Sequence, residues 1–186
     1  MKIIFIRHGK SLGNIEKRYI GSTDQQLCDE GISELKNIKY PDCDILISSP
    51  MKRCIQTAEI IYPDKTADIY GELRECDFGG FENKNHIELS GDIYYSKWIE
   101  SGGTIPFPNG ETPSGFKKRC TDSFEKIAAG YSDNNTVSFV VHGGVIMAVL
   151  EKYALPPKGF YDWHCENGHG YICDYSDGKL NVLEKI

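Results

Sequence analysis

The sequence predicts an α/β protein: a three-layer sandwich with a largely parallel central sheet, helices on both faces, and a small cap insertion over the carboxyl ends of the strands. Three observations lead to this prediction. Short continuous apolar runs, typical of strands buried on both faces, alternate with longer stretches in which apolar residues recur every three or four positions. Such alternation favours a parallel sheet. The 186 residues, 40% of them hydrophobic, fit one compact domain.

The buried strands are predicted from β-branched and aromatic runs that stop at polar residues. They cover residues 2–6, 44–48 and 136–141. The three-to-four periodicity predicts helices at 30–39, 51–62, 113–131 and 145–153. The final stretches, 170–175 and 179–186, flank Asp177-Gly178 and predict a hairpin with a two-residue turn.

The middle of the chain has a different texture. It is polar and aromatic, and it ends in a glycine- and proline-rich loop at 102–110. We therefore expect a single domain over residues 1–186, in which about 79–112 form the cap insertion.

Charge and cysteine usage limit the partners and the compartment. Lysine and arginine number 21 against 27 acidic residues, a net charge of 21 − 27 = −6, so nucleic acid and anionic membranes are not expected partners. Seven scattered cysteines without a Cys-x-x-Cys pair suit a reducing cytoplasm. The apolar start of the chain is too short for a signal peptide. A monomer and a homodimer both stay open.

Four charged or titratable residues are expected at the carboxyl edge of the sheet, where ligands of α/β proteins bind. Arg7 and His8 follow the first strand, His142 follows the strand ending at 141, and Arg53 lies in the first turn of the helix after 48–50. Guanidinium groups bind phosphate in a bidentate manner, and a neutral imidazole can attack phosphorus. The set therefore predicts a phosphoryl-transfer site that needs neither metal nor cofactor.

The run Arg7-His8-Gly9-Lys10-Ser11, with Asn14, resembles the opening signature of the histidine phosphatase superfamily, which includes cofactor-dependent phosphoglycerate mutases and many small phosphatases. The resemblance continues in order along the chain. The similar segments are 18–24, 48–58 around Arg53, 72–79, 109–112 and 141–144.

The resemblance implies a mechanism. His8 forms a phosphohistidine, Glu75 protonates the leaving oxygen, and water cleaves the intermediate, while Arg7, Arg53, His142 and Asn14 hold the phosphoryl group. The matching segments also imply a second set of substrate- or phosphate-binding residues. These are Gly21, Ser22, Thr23, Glu111 and Gly143.

Within the superfamily, the residues favour a phosphatase that acts on a small phosphate ester. Cys76 follows Glu75 where mutases are expected to have arginine, and residues 79–110 contain no arginine. The segment 19–24 resembles that of α-ribazole phosphatases. The aromatic residues of the cap either contact an apolar part of the substrate or pack the cap's own core, and both interpretations stay open.

Two other functions also stay open. One is a phosphoglycerate mutase-type phosphotransferase. The other is a non-catalytic regulator that binds a phosphorylated ligand, although such a protein has little need of both His8 and Glu75.

Overall fold

The computed structural model describes residues 1–186 and contains one seven-stranded sheet in the order β3-β2-β4-β1-β6-β7-β5. The strands are β1 (Lys2–Arg7), β2 (Ile45–Ser48), β3 (Asp68–Ile69), β4 (Thr136–Val141), β5 (Ala154–Leu155), β6 (Gly170–Ser176) and β7 (Lys179–Lys185). The helices are α1 (Leu12–Ile15), α2 (Asp29–Asn37), α3 (Lys52–Ile61), α4 (Ile93–Glu100), α5 (Pro113–Ala128) and α6 (Gly143–Tyr153).

The sheet is largely parallel, which confirms the predicted fold class. β1 lies at its centre and pairs in parallel with β4, from Lys2 opposite Thr136 to Arg7 opposite Val141. β4 pairs in parallel with β2, and β2 with β3. On the other side of β1, the predicted hairpin of β6 and β7 adds two antiparallel pairings. Its turn residues, Asp177 and Gly178, both have positive φ, as a tight two-residue hairpin turn requires.

Helices cover both faces because the apolar side chains of β1 alternate between them. Ile3 and Phe5 belong to the larger core, in which the Phe5 ring lies 5.8 Å from that of Phe124 in α5. Ile4 and Ile6 belong to a smaller core on the opposite face, which they share with residues of α3. The three-layer arrangement follows directly from this alternation.

Residues 79–112 contain α4 and a cluster of aromatic rings. Phe81 is 1% exposed and lies at the centre of the cluster. The centroids of Tyr95, Phe107 and Trp98 are 5.3, 5.8 and 5.9 Å from that of Phe81. Tyr19, from outside this segment, completes the packing at 6.1 Å from Phe81. These rings pack against one another as one of the two interpretations expected, but they are continuous with the larger core that contains Phe5 and do not form a separate core of the cap.

Several boundaries differ from those predicted. Arg7 is the last residue of β1 rather than the first residue after it, and α6 begins at Gly143 instead of 145. Helix α4 was not predicted, because Ile93 and Ile99 are exposed and its apolar residues therefore do not form one face. Its start is fixed by Asp92, whose carboxylate accepts hydrogen bonds from the amides of Tyr94 and Tyr95. None of the helices combines the length and the apolar composition that a membrane span requires.

Candidate active site

Two histidines meet at the carboxyl ends of the two central parallel strands. His8 directly follows β1, and His142 occupies the position before α6, directly after β4. Because Arg7 pairs with Val141, the next residue of each strand lies side by side, and the ring centroids are 5.2 Å apart. Both side chains are buried, with 4% and 0% exposure. The register of two strands thus creates the pair.

His8 is held as a neutral imidazole with one free ring nitrogen. Its Nδ1 lies 2.7 Å from the carbonyl oxygen of Gly9. Since a carbonyl can only accept, this contact assigns the proton to Nδ1 and leaves the lone pair of Nε2 available. Burial, followed by the positive charges of Arg53 and Arg7, holds the pKa of His8 well below its usual value. The ring is therefore in the form that a nucleophile needs.

His142 contacts one residue of α3 and one residue of the segment that precedes α3. Its Nε2 lies 2.8 Å from the hydroxyl of Ser49 and 3.5 Å from the thiol of Cys54. Burial and the charge of Arg53 hold the pKa of His142 well below its usual value. Ser49 and Cys54 were not assigned to the site from the sequence, because these contacts depend on how α3 packs against β4.

Arg7 and Arg53 each direct part of the guanidinium to the main chain. Nη1 of Arg7 donates to the carbonyl of Cys165 at 2.7 Å. Nη1 and Nη2 of Arg53 donate to the carbonyls of Thr23 and Gly21, both at 2.9 Å. In each residue the Nε–H is buried and has no partner within the protein. Two unsatisfied donors close enough to His8 to lower its pKa indicate a site for an anion.

In the loop at 20–23, the amides of Gly21, Ser22 and Thr23 are occupied within the protein, although these residues were expected to bind substrate or phosphate. Their N–H groups donate to the carboxylate of Glu82 at 3.0, 2.8 and 3.3 Å. The Thr23 hydroxyl adds a bond of 2.7 Å. Because carbonyls of the same loop accept from Arg53, the loop joins Glu82 to Arg53 and orients that guanidinium.

Glu82 should therefore affect anion binding indirectly, through the loop at 20–23 and Arg53. In Glu82→Gln an amide that keeps the shape replaces the carboxylate, so backbone donors lose a charged acceptor and Arg53 loses its orientation. We expect kcat/KM to fall by about 10-fold to 10²-fold. Glu88→Gln, which removes an exposed partner of Arg18 in the same segment, is the control. Unchanged inhibition by vanadate in Glu82→Gln would show that the loop does not orient Arg53.

Glu75 lies beside the first turn of α6. Its Oε1 accepts from the amide of Cys76 at 2.9 Å, and its Oε2 accepts from the amide of Gly144 at 3.0 Å. A Cβ at position 144 would overlap Oε1 of Glu75, so only glycine leaves room for the carboxylate. Gly144 thus leaves space for the Glu75 carboxylate and also forms part of the first turn of α6.

The remaining residues expected at the site have different surroundings. Oδ1 of Asn14 accepts from the amide of Ser11 and caps the short helix α1. Gly143 lies against Arg7, whose Nε would be 3.3 Å from a Cβ at that position. Glu111 does not line the cavity described below. Its two oxygens are bound by Arg119 at 2.9 and 2.7 Å.

Arg119 explains the position of Glu111. It also donates to the carbonyls of Glu72 and Arg74, at 2.6 and 3.0 Å. The Glu111–Arg119 pair therefore supports the segment that carries Glu75, and its contribution to the site is indirect. The sequence offered no direct signal for this role, since the partners are eight residues apart and on different elements.

A cavity of about 480 Å³ adjoins the histidine pair and is bounded there by Arg7, Glu75, Gly143 and Gly144. Its other walls are mainly aromatic or apolar. They include Tyr19, Phe78, Trp98, Phe107, Phe116, Met147, Phe160 and Tyr161. Trp98 and Phe107 belong to the larger core and also line this cavity, so contact between these rings and a substrate stays a prediction.

The donors around the histidines suit an anion better than a metal ion. No group of three or more His, Cys, Asp or Glu side chains is arranged to hold a metal. The charges that act on His8 are those of two guanidiniums, and a second imidazole packs against its ring. A phosphoryl group, with three oxygens that accept hydrogen bonds, is complementary to this arrangement.

Known proteins share the whole chain's pattern. A model of the histidine phosphatase superfamily (branch 1) matches residues 3–185. The adenosylcobalamin/alpha-ribazole phosphatase of Salmonella typhimurium is 25% identical, over 98% of this chain and 96% of that protein. Phosphoserine phosphatase 1 of Hydrogenobacter thermophilus is 26% identical, over 100% of this chain and 92% of that protein. The crystal structure of phosphoglycerate mutase from Thermus thermophilus superimposes with a TM-score of 0.76 over 100% of this chain and 98% of that one. The two sequences are 29% identical.

Proposed function

We propose a function for a chain that belongs to the histidine phosphatase superfamily, branch 1, and is an enzyme that hydrolyses phosphate esters. The proposed enzyme is a metal-independent phosphomonoesterase. It acts on a small phosphorylated metabolite through a phosphohistidine on His8. One observation supports the proposal most strongly. Two buried Nε–H donors without partners, from Arg7 and Arg53, lie next to a neutral imidazole.

The first half-reaction transfers the phosphoryl group to His8. Nε2 of His8 attacks phosphorus, while Arg7, Arg53 and His142 hold the phosphoryl oxygens. The bond from phosphorus to the ester oxygen breaks, and Glu75 donates a proton to that oxygen, which leaves as an alcohol. The hydrogen bond from Nδ1 to Gly9 keeps the ring in place throughout.

The second half-reaction returns the enzyme to its starting state. A water molecule attacks the phosphorus of the phosphohistidine, and the Glu75 carboxylate takes its proton. The N–P bond breaks, which releases inorganic phosphate and the neutral imidazole. The proton lost by Glu75 in the first step is thereby recovered.

The metal-independent chemistry predicts turnover in the presence of a chelator. The purified protein should hydrolyse p-nitrophenyl phosphate at the same rate with and without an excess of EDTA, because guanidinium groups supply the positive charge. A loss of activity in EDTA that a divalent cation restores would contradict the mechanism. Absence of turnover in every buffer would instead favour the non-catalytic regulator.

A mutase-type phosphotransferase is the second candidate, supported by the 29% identity to a phosphoglycerate mutase. Such a reaction requires cationic groups for the carboxylate and the second phosphate of a bisphosphate. Apart from Arg7, the cavity is lined by one such side chain, Lys117, which is already paired with Glu151. Assays of 3-phosphoglycerate with and without a bisphosphate primer separate the two reactions.

The names of the relatives point to more than one kind of substrate. They are named for α-ribazole, phosphoserine and phosphoglycerate, which have unlike leaving groups. An α-ribazole phosphate is a candidate for this chain, supported by the segment 19–24 and by the aromatic cavity wall. The seven cysteines are all unbonded, which supports a reducing compartment such as the cytoplasm.

A further inference from the structure

The cavity beside the phosphoryl site contains few charged side chains. Arg7 and Glu75 belong to the catalytic end, and His164 has its pKa lowered by burial and by Arg7. The remaining charged residue in the wall is Lys117, on α5. Away from the catalytic end, Lys117 is therefore the one residue of the wall that could balance a negative charge on the leaving group of a bound substrate.

Lys117 is already neutralised by a residue that lies outside the wall. Its Nζ is 2.6 Å from Oε2 of Glu151 on α6 and 4.3 Å from the ring centroid of Phe160. The two side chains are 35% and 33% exposed, so the pair is partly removed from water. The aliphatic part of Lys117 consequently completes an apolar wall, while its charge is directed to Glu151.

We propose that Glu151 determines the class of substrate: by neutralising Lys117 it restricts the cavity to leaving groups without a charge, in particular alcohols that carry a planar aromatic group. This inference rests on the proposed phosphatase function and specifies its substrate. Phe78, Trp98, Phe107 and Phe160 offer ring faces and edges to a flat group. A carboxylate or second phosphate entering the same space loses water without gaining a free cation.

The test compares two esters of the same shape whose para substituents differ in charge, and it takes the ratio between variants so that their intrinsic reactivities cancel. 4-Carbamoylphenyl phosphate and 4-carboxyphenyl phosphate have the same shape, and the wild-type enzyme should prefer the neutral one in kcat/KM by about 10-fold. In Glu151→Gln the ammonium group of Lys117 becomes available to the carboxylate. The preference should then shrink by about 5-fold to 10-fold, mainly through a lower KM for the charged ester.

Two variants show whether the effect passes through Lys117. The double variant Lys117→Met/Glu151→Gln should return to the wild-type preference, because the cation is gone. Glu125→Gln breaks the other ion pair between the same two helices, Lys152–Glu125, whose residues are absent from the cavity wall, and it should change nothing.

Binding separates this inference from the proposed chemistry. The non-hydrolysable 4-carbamoylbenzyl and 4-carboxybenzyl phosphonates should show the same order of affinity by calorimetry, whether or not the protein turns over any ester. A wild-type preference for the carboxylated member, or an unchanged preference in Glu151→Gln, overturns the assignment of Glu151. Loss of turnover with the phosphonate preference intact counts only against the phosphatase mechanism.

Discussion

Replacement of His8 by alanine is expected to abolish phosphoryl transfer while leaving the fold intact. The surrounding cations stabilise charge, but none of them can form the covalent intermediate. Removal of an enzyme's nucleophile lowers turnover on the order of 10⁴-fold to 10⁶-fold. The cost to the fold should be small, since the ring packs against His142 rather than within either hydrophobic core.

The measurement is rapid-quench trapping of the phosphoenzyme with a ³²P-labelled ester. Wild-type protein should carry acid-labile, base-stable phosphate, and His8→Ala should carry none. His86→Ala, which removes an exposed histidine of the cap, should retain the label and the activity. Label on serine, aspartate or cysteine would refute the assignment of His8.

Glu75→Gln should affect esters in proportion to how much their leaving group needs a proton. An alkyl alkoxide leaves badly without protonation, whereas p-nitrophenolate leaves readily. Phosphoryl transfer from an alkyl phosphate should therefore fall by about 10²-fold to 10⁴-fold, and transfer from p-nitrophenyl phosphate much less. The carboxylate lines the cavity that is proposed to receive the leaving group and is held there by the amide of Gly144.

Single-turnover burst measurements are required, because hydrolysis of the phosphohistidine can limit the steady state and Glu75 is proposed to act in that step too. Glu72→Gln, an exposed carboxylate three residues earlier, is the matched control and should leave both bursts unchanged. Equal losses for the two leaving groups in Glu75→Gln would assign Glu75 a structural or electrostatic role and require a different proton donor.

The features that were predictable from the sequence are those encoded locally. The apolar runs of β1 and β4 identify central strands, and the residues directly after them meet because parallel strands end at the same edge. The sequence alone therefore predicts that His8 and His142 lie together. The edge strands β3 and β5 were not predicted, since two residues each are too short to form a pattern.

Contacts between distant segments were not predictable in the same way. Glu82 is about sixty residues from the loop whose amides it binds, and nothing in the local pattern distinguishes it from a surface carboxylate. Similarly, the expectation that Gly21 to Thr23 bind the ligand followed from a resemblance of segments. Glu82, which accepts from their amides, directly follows a short 3-10 helix at Gly79–Phe81 and also accepts from the amide of Phe78, and the local sequence pattern does not indicate either contact.

The burial of two neutral imidazoles also links the site to proton binding by the whole protein. The unfolded chain titrates His8 and His142 near pH 6.5, but in the folded protein burial lowers both pKa values well below this. As the pH falls below 6.5, the unfolded state binds protons that the folded state does not. Acid therefore reduces the free energy of unfolding, by up to about 1.4 kcal/mol per pH unit for each histidine until the lowered pKa is reached. A declining rate in acid consequently reports a growing unfolded population as well as the chemistry of the nucleophile.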